Sequence, residues 1–132
     1  DFEKAVSLIS GTKDESKDMI DYVGIQRINA NTALTATASG NITTSQVLNR
    51  GYSHFTTVTS AGDAAKLPTL SGSVMIIVTN NAAANAMNVF PDSSTSTINA
   101  IAAGSAFSLT AGKTAIFIQS TAGKWHTIPL VP

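Results

Sequence analysis

The chain has 132 residues, of which 43% are apolar and only 12% are charged, so its size and composition predict one folded domain with a short appendage at most. Eight basic and eight acidic residues cancel, and the pI is ≈ 6.9; this argues against nucleic acid and anionic membrane as partners, because both attract basic surfaces. The absence of cysteine excludes disulfides and thiolate metal sites. The longest apolar run, Val74 to Val78, is far shorter than the roughly 20 residues of a membrane span.

The N-terminal part of the chain differs in composition from the rest. Ten of the 16 charged residues fall within the first 27 positions, which predicts an arm over residues 1–30 and a body over residues 31–132. Apolar residues at helical spacing predict two short helices, one ending near Gly11 and the next ending near Gly24. Helices of about ten residues are marginal alone in water, so the arm needs a surface on which to dock.

Two alternatives stay open for that surface: the arm packs on its own body, or it clasps a neighbouring subunit. In the second case the arm is an attachment segment. The residues predicted to contact a neighbouring subunit are Phe2, Val6, Ile9, Ile20, Tyr22 and Val23.

From residue 33 onward, short β-branched or aromatic runs alternate with clusters of Gly, Asn, Asp, Ser and Pro, a pattern typical of all-β domains. The runs predict nine strands, over residues 33–38, 42–48, 54–59, 74–79, 86–90, 97–101, 106–110, 114–120 and 125–129. Turn pairs such as Ala111-Gly112 and Ala122-Gly123 favour hairpin connections between them. The body is therefore predicted to be an antiparallel β-sandwich or jelly-roll-like fold with meander connections.

Alternation within these runs predicts which side chains face the core. Phe107 and Leu109 share one face of their strand, and Ile116 and Ile118 share a face of the next. Trp125 shares a face with Thr127, which leaves His126 to solvent. The run from Val74 to Val78 is apolar at every position. It predicts a strand at the centre of the core, covered by a sheet on one side and by a subunit or the arm on the other.

Catalytic chemistry finds little support in the sequence. Residues 111–114, with the sequence AGKT, imitate the end of a phosphate-binding loop, but the required earlier Gly is replaced by Phe107 and a strand is predicted to follow instead of a helix. The body residues that could act as bases or metal ligands are His54, Asp63, Asp92 and His126. None of them lies in a recognisable motif. We therefore predict no catalytic residue, no cofactor, no metal and no enzymatic activity.

A succession of turn and core residues extends from Leu67 to Ile128. It comprises Lys66-Leu67-Pro68, Val78-Thr79-Asn80-Asn81, Ala86-Met87-Asn88-Val89-Phe90-Pro91, Ile98-Asn99, Ala103-Gly104, Leu109-Thr110-Ala111-Gly112-Lys113 and Gly123-Lys124-Trp125-His126-Thr127. This succession resembles a module common in phage virion proteins, including capsid decoration (cement) proteins, head fibres and tail-fibre parts. The resemblance covers under half of the chain. It implies a β-sandwich or jelly-roll-like body that often assembles as a homotrimer on the particle surface, with no catalytic residues to carry over.

The resemblance and the composition together predict a structural virion protein. The leading hypothesis is a capsid decoration protein that binds between major capsid subunits on the capsid surface and stabilises the phage head. The alternative is a tail-fibre or receptor-binding module that attaches to a host surface ligand through exposed aromatics, for which Tyr22, Tyr52 and Trp125 are candidates. A small enzyme, such as a depolymerase fragment, is disfavoured because the chain is poor in His and in paired carboxylates.

Overall fold

The computed structural model describes residues 27–129, and every regular element within that range is a β-strand. The all-β prediction is confirmed for these residues. The predicted arm helices and the six predicted contact residues, Phe2, Val6, Ile9, Ile20, Tyr22 and Val23, lie outside them. The strands are β1 (Ala30–Thr35), β2 (Gln46–Val47), β3 (Tyr52–Thr57), β4 (Ala64–Lys66), β5 (Val74–Asn80), β6 (Met87–Phe90), β7 (Thr97–Ile98), β8 (Phe107–Leu109), β9 (Lys113–Thr121) and β10 (Lys124–Ile128).

The strands form two sheets, a six-stranded sheet in the order β1-β3-β5-β9-β10-β7 and a four-stranded sheet in the order β2-β4-β6-β8. The first six strands alternate between the sheets. Pairing is parallel along β1, β3 and β5, and also along β2, β4 and β6. In register, Ala30 pairs with Tyr52 and Tyr52 pairs with Ile77, so one coil takes 22 residues and the next takes 25. This winding is that of a β-solenoid.

The predicted antiparallel sandwich or jelly roll with meander connections is therefore wrong. Antiparallel pairing is confined to β8 with β6, β9 with β5, and β10 with β9. Each of the nine predicted strands overlaps an observed one, but β4, with the sequence Ala-Ala-Lys, was not predicted. Alternation within a strand sets which face is buried and carries no information about the direction of the neighbouring strand. Each connection between successive strands from β1 to β6 crosses from one sheet to the other. A hairpin, in contrast, would join two neighbouring strands of the same sheet.

The core is one cluster of buried side chains contributed by both sheets. Phe107 of β8 and Phe117 of β9 meet edge to face with ring centroids 5.4 Å apart, a geometry that adds about 0.5–1.5 kcal/mol to the burial of the two rings. The predicted inward faces are confirmed, since Phe107, Leu109, Trp125 and Thr127 are buried and His126 is exposed. The largest fully buried side chains are Trp125, Phe55, Phe107, Phe117, Leu67, Met87 and Ile98.

Buried amide side chains hold the loops against the sheets. Asn80 Nδ2 donates to the carbonyl oxygens of Asn85 and Leu109, each at 2.9 Å. Gln119 Nε2 donates to the carbonyls of Leu70 and Gly72 at 2.9 and 2.7 Å. Amide nitrogens that donate in this way favour one loop arrangement, because any other arrangement would leave these buried donors without partners.

Asp63 joins two separate turns through its buried carboxylate. The backbone N–H of Ser60 donates to Oδ2 at 2.9 Å, and the backbone N–H of Ser39 donates to Oδ1 at 3.0 Å. These donors, Ser60 first, lower the pKa of the Asp63 carboxyl below its ordinary value, although burial acts in the opposite direction. Asp63 is therefore a structural carboxylate that stays ionised in the folded protein.

The lowered pKa of Asp63 predicts an acid-sensitive contribution to stability. The ionised carboxylate stabilises the fold above the ordinary pKa of about 4, and this contribution is lost as the pH falls through the lowered pKa. We expect Asp63→Asn to lower the Tm at pH 7, and the difference in Tm from the wild type to shrink as the pH falls through the lowered pKa of Asp63. Ser60→Ala keeps the backbone donor and is the control, with a Tm close to that of the wild type. A Tm difference for Asp63→Asn that is independent of pH would contradict this role.

Candidate docking surface

Side chains that point away from the core on β3, β5, β9 and β10 form a continuous apolar surface. Strand register places Tyr52, Ile77, Ile116 and Ile128 in one row across the four strands. A second row, next to the first, contains Met75 and Ile118. We call this surface the outer face and define it by Tyr52, Met75, Ile77, Ile116, Ile118 and Ile128.

The outer face is incompletely covered by the described residues. Met75 is 54% exposed and Ile128 is 56% exposed. Ile77, Ile116 and Ile118 are half-buried, partly because side chains directly opposite each other on neighbouring strands are in contact. An apolar row across four strands is unlike the scattered single hydrophobic residues of an ordinary surface and indicates a contact surface.

Hydroxyl groups border the outer face and bond to one another. Tyr52 Oη donates to Thr79 Oγ1 at 2.9 Å, and Thr79 Oγ1 lies 2.8 Å from Thr114 Oγ1. Because these groups use their hydrogen bonds within the sheet, covering this border costs less than covering free hydroxyls would. His54 lies on the same side of β3, and its Nε2 is buried without a hydrogen-bond partner among the described residues.

In residues 27–129, the negatively charged side chains are buried and most of the positively charged ones are exposed. Both carboxylates are buried, Asp63 in the turn junction and Asp92 beneath the Trp125 indole, whose Nε1 donates to Asp92 Oδ1 at 3.0 Å. The cations are Arg27, Arg50, Lys66, Lys113 and Lys124, of which Lys66 is half-buried and the others are exposed. The charged groups that this part of the chain presents to solvent are therefore positive.

Residues 27–129 contain no cluster of three or more His, Asp or Glu residues that could hold a metal ion. A groove of ≈ 360 Å³ lies beside β8 and β9, and Lys113 is the only titratable residue that lines it. His126 bonds only at the surface, with Nε2 3.2 Å from Ser120 Oγ. The four body residues considered for catalysis are thus not brought together. In the same range, no helix is long and apolar enough to cross a membrane.

The run from Val74 to Val78 is predicted to be covered on both faces. The described residues cover one of these faces. Ile76 and Val78 are buried in the core, whereas Met75 is exposed on the outer face. The proposal of Trp125 as an exposed aromatic is wrong, because its side chain is fully buried. Ile116 and Ile118 share one face of β9, as their alternation predicts, and that face is the outer one. Ile128 was not singled out by the sequence, although its alternation with Thr127 is a signal that could have identified it.

Comparison of the chain with protein-family models, with curated proteins and with solved structures finds no match. The resemblance to phage virion modules remains a prediction from the residues that carry it.

Proposed function

We propose that this chain is a structural virion protein, a capsid decoration protein that binds between major capsid subunits on the capsid surface and stabilises the head as a homotrimer. The observation that carries the proposal is the outer face, a row of apolar side chains that crosses four strands and has Met75 and Ile128 more than half exposed. A surface of this kind serves protein–protein contact.

Two features of the body support a structural role. Its strands and loops are held by buried amide and carboxylate hydrogen bonds, such as those of Asn80 and Asp63, so the outer face lies on rigid elements. Without cysteine, stability does not depend on redox conditions. Burying an apolar side chain completely contributes about 1.5–3 kcal/mol, so covering even the exposed fractions of Met75 and Ile128 would favour association.

The alternative, a tail-fibre or receptor-binding module, is favoured by a different observation. β1 and β2 are edge strands of the two sheets at the first coil of the solenoid, and an edge of this kind is where a further coil or another chain adds a strand. A fibre assembled coil upon coil would use these edges, whereas a decoration protein would use the outer face.

Adding the purified protein back to phage heads that lack it tests the proposal. We expect the protein to sediment with the heads at a saturating, fixed number of copies and to raise the temperature at which they break open. Ile118→Lys places a charge on the outer face and should lower the affinity at least about tenfold, since a buried unpaired charge is costly. Ser108→Lys, at an exposed position on β8 in the other sheet, is the matched control.

A wild-type protein that does not sediment with heads but binds host cells would contradict the decoration role and favour the fibre module. Equal binding by the Ile118→Lys and Ser108→Lys variants would show that attachment does not use the outer face.

A further inference from the structure

We propose that residues 1–26 dock on the outer face of their own copy of the chain. The inference goes beyond the proposed virion role and does not depend on it. It joins an uncovered apolar surface with the one segment of this chain whose charge and apolar content match that surface.

The chain enters the six-stranded sheet beside the outer face. β1 begins at Ala30, which pairs with Tyr52, and Tyr52 is the first member of the row that continues through Ile77 and Ile116. The backbone N–H of Tyr52 also donates to the Asn29 carbonyl at 3.1 Å. The polypeptide that precedes β1 therefore leaves the sheet at the edge of the outer face. Neighbouring strands are about 4.8 Å apart, so Ile77 is only about 10 Å across the sheet from β1.

Residues 1–26 and the rest of the chain carry opposite net charges. Residues 1–26 contain six acidic and three basic residues, a net charge of −3, whereas the rest of the chain contains five basic and two acidic residues, a net charge of +3. Because Asp63 and Asp92 are both buried, the described body presents cations to solvent. A segment of opposite charge is attracted to such a surface.

Residues 1–26 also supply apolar side chains and are tethered close to the outer face. The apolar residues of this segment include Phe2, Val6, Ile9, Ile20, Tyr22 and Val23. The last three lie within ten residues of Ala30. A short tether gives the segment an effective concentration in the millimolar range at its own outer face. Free subunits at micromolar concentration compete poorly with this, so we assign the segment to its own copy.

Docking of this kind has a consequence for assembly. The free subunit would hide its apolar segment and its apolar outer face against each other, so residues 1–26 must leave the outer face before that face contacts capsid subunits. Release of residues 1–26 would make both surfaces available at the same time.

Paramagnetic relaxation in the full-length protein tests the proposal. Because the chain has no cysteine, a single spin label can be placed at Met75→Cys on the outer face or, as the matched control, at Ser108→Cys on the four-stranded sheet. We expect the Met75 label to reduce the amide signals of residues 1–26 to less than half of their diamagnetic intensity, and the Ser108 label to leave most of that intensity. A reciprocal label at Ser10→Cys should broaden the methyl signals of Ile77, Ile116 and Ile118, which guards against disturbance by the label at position 75.

A mixture of spin-labelled and isotope-labelled copies distinguishes docking within one copy from docking on a neighbouring copy. We expect no broadening in the mixture, because the contact lies within one copy. Broadening of comparable size in the mixture would assign the segment to a neighbouring copy and overturn the proposal. Sharp signals from residues 1–26 with the label at position 75, together with sharp outer-face methyl signals with the label at position 10, would also overturn it. Capsid binding plays no part in this readout, so failure here is distinct from failure of the proposed function.

Discussion

Replacing Trp125 by Ala is expected to lower the free energy of unfolding by about 3–5 kcal/mol, the range for a buried aromatic side chain cut back to Ala. Trp125 is fully buried, and its indole Nε1 donates to the buried Asp92 carboxylate at 3.0 Å. The variant therefore loses apolar contact and also leaves Asp92 without this donor, which costs about 1–3 kcal/mol for a buried polar group. Because a small domain is stable by only about 5–15 kcal/mol, the variant should be largely unfolded in moderate urea.

His126→Ala is the matched control for Trp125→Ala. His126 is the next residue on β10, points outward and is exposed, so its loss should change stability by no more than about 0.5 kcal/mol. Urea unfolding followed by far-ultraviolet circular dichroism measures both variants, since Trp125 is the only tryptophan and its fluorescence is lost in one of them. Equal midpoints for the two variants would refute the assignment of Trp125 to the core.

Gly104→Ala is expected to destabilise the protein by about 2–5 kcal/mol, because two penalties act at one position. Gly104 has φ of 74°, in the left-handed region where a side chain costs about 1–2 kcal/mol. A Cβ at this position would also lie 2.9 Å from the Ser94 carbonyl oxygen and 3.1 Å from Ser94 Cα. Both are backbone atoms, so the loop must shift, and overpacking of this kind costs about 1–3 kcal/mol more.

Gly112→Ala isolates the backbone penalty from the close approach. Gly112 has φ of 73°, almost the same as Gly104, but a Cβ there would meet nothing within 4 Å. We expect this variant to lose only about 1–2 kcal/mol. The difference in unfolding free energy between the two variants measures the contact with Ser94. A Gly112→Ala variant as unstable as Gly104→Ala would mean that the approach to Ser94 contributes nothing.

The local content of the fold could be predicted from the sequence. The run around Trp125 predicts a strand with Trp125 and Thr127 on one face, and the structure buries both. The run around Phe117 predicts a strand on which Ile116 and Ile118 share a face, but its apolar residues lie on both faces, so the sequence does not indicate that the face of Phe117 is the buried one. β4 could not be predicted, because Ala-Ala-Lys has neither β-branched nor aromatic residues. This segment becomes a strand because β2 and β6 pair with it on either side.

The solenoid winding could not be predicted either, and the reason is physical. Ala30, Tyr52 and Ile77 occupy equivalent positions in successive coils yet differ in size and polarity, so no repeat appears in the sequence. The outer face could not be predicted from the sequence either. Met75, Ile118 and the row through Ile77 and Ile116 come together only because antiparallel β9 adds beside parallel β5.

Amino-acid sequence by itself determined that the body is all-β, which side chains of a strand share a face, and that charge is concentrated near the N-terminus. These properties depend on residue type and on the two-residue period of a strand, both of which are local. The tertiary structure alone decided the direction and order of the strands, the burial of both body carboxylates and the assembly of the outer face. These depend on contacts between residues far apart in the chain, such as Asp92 with Trp125. Such contacts form only when each connection places the next strand in a particular sheet and direction.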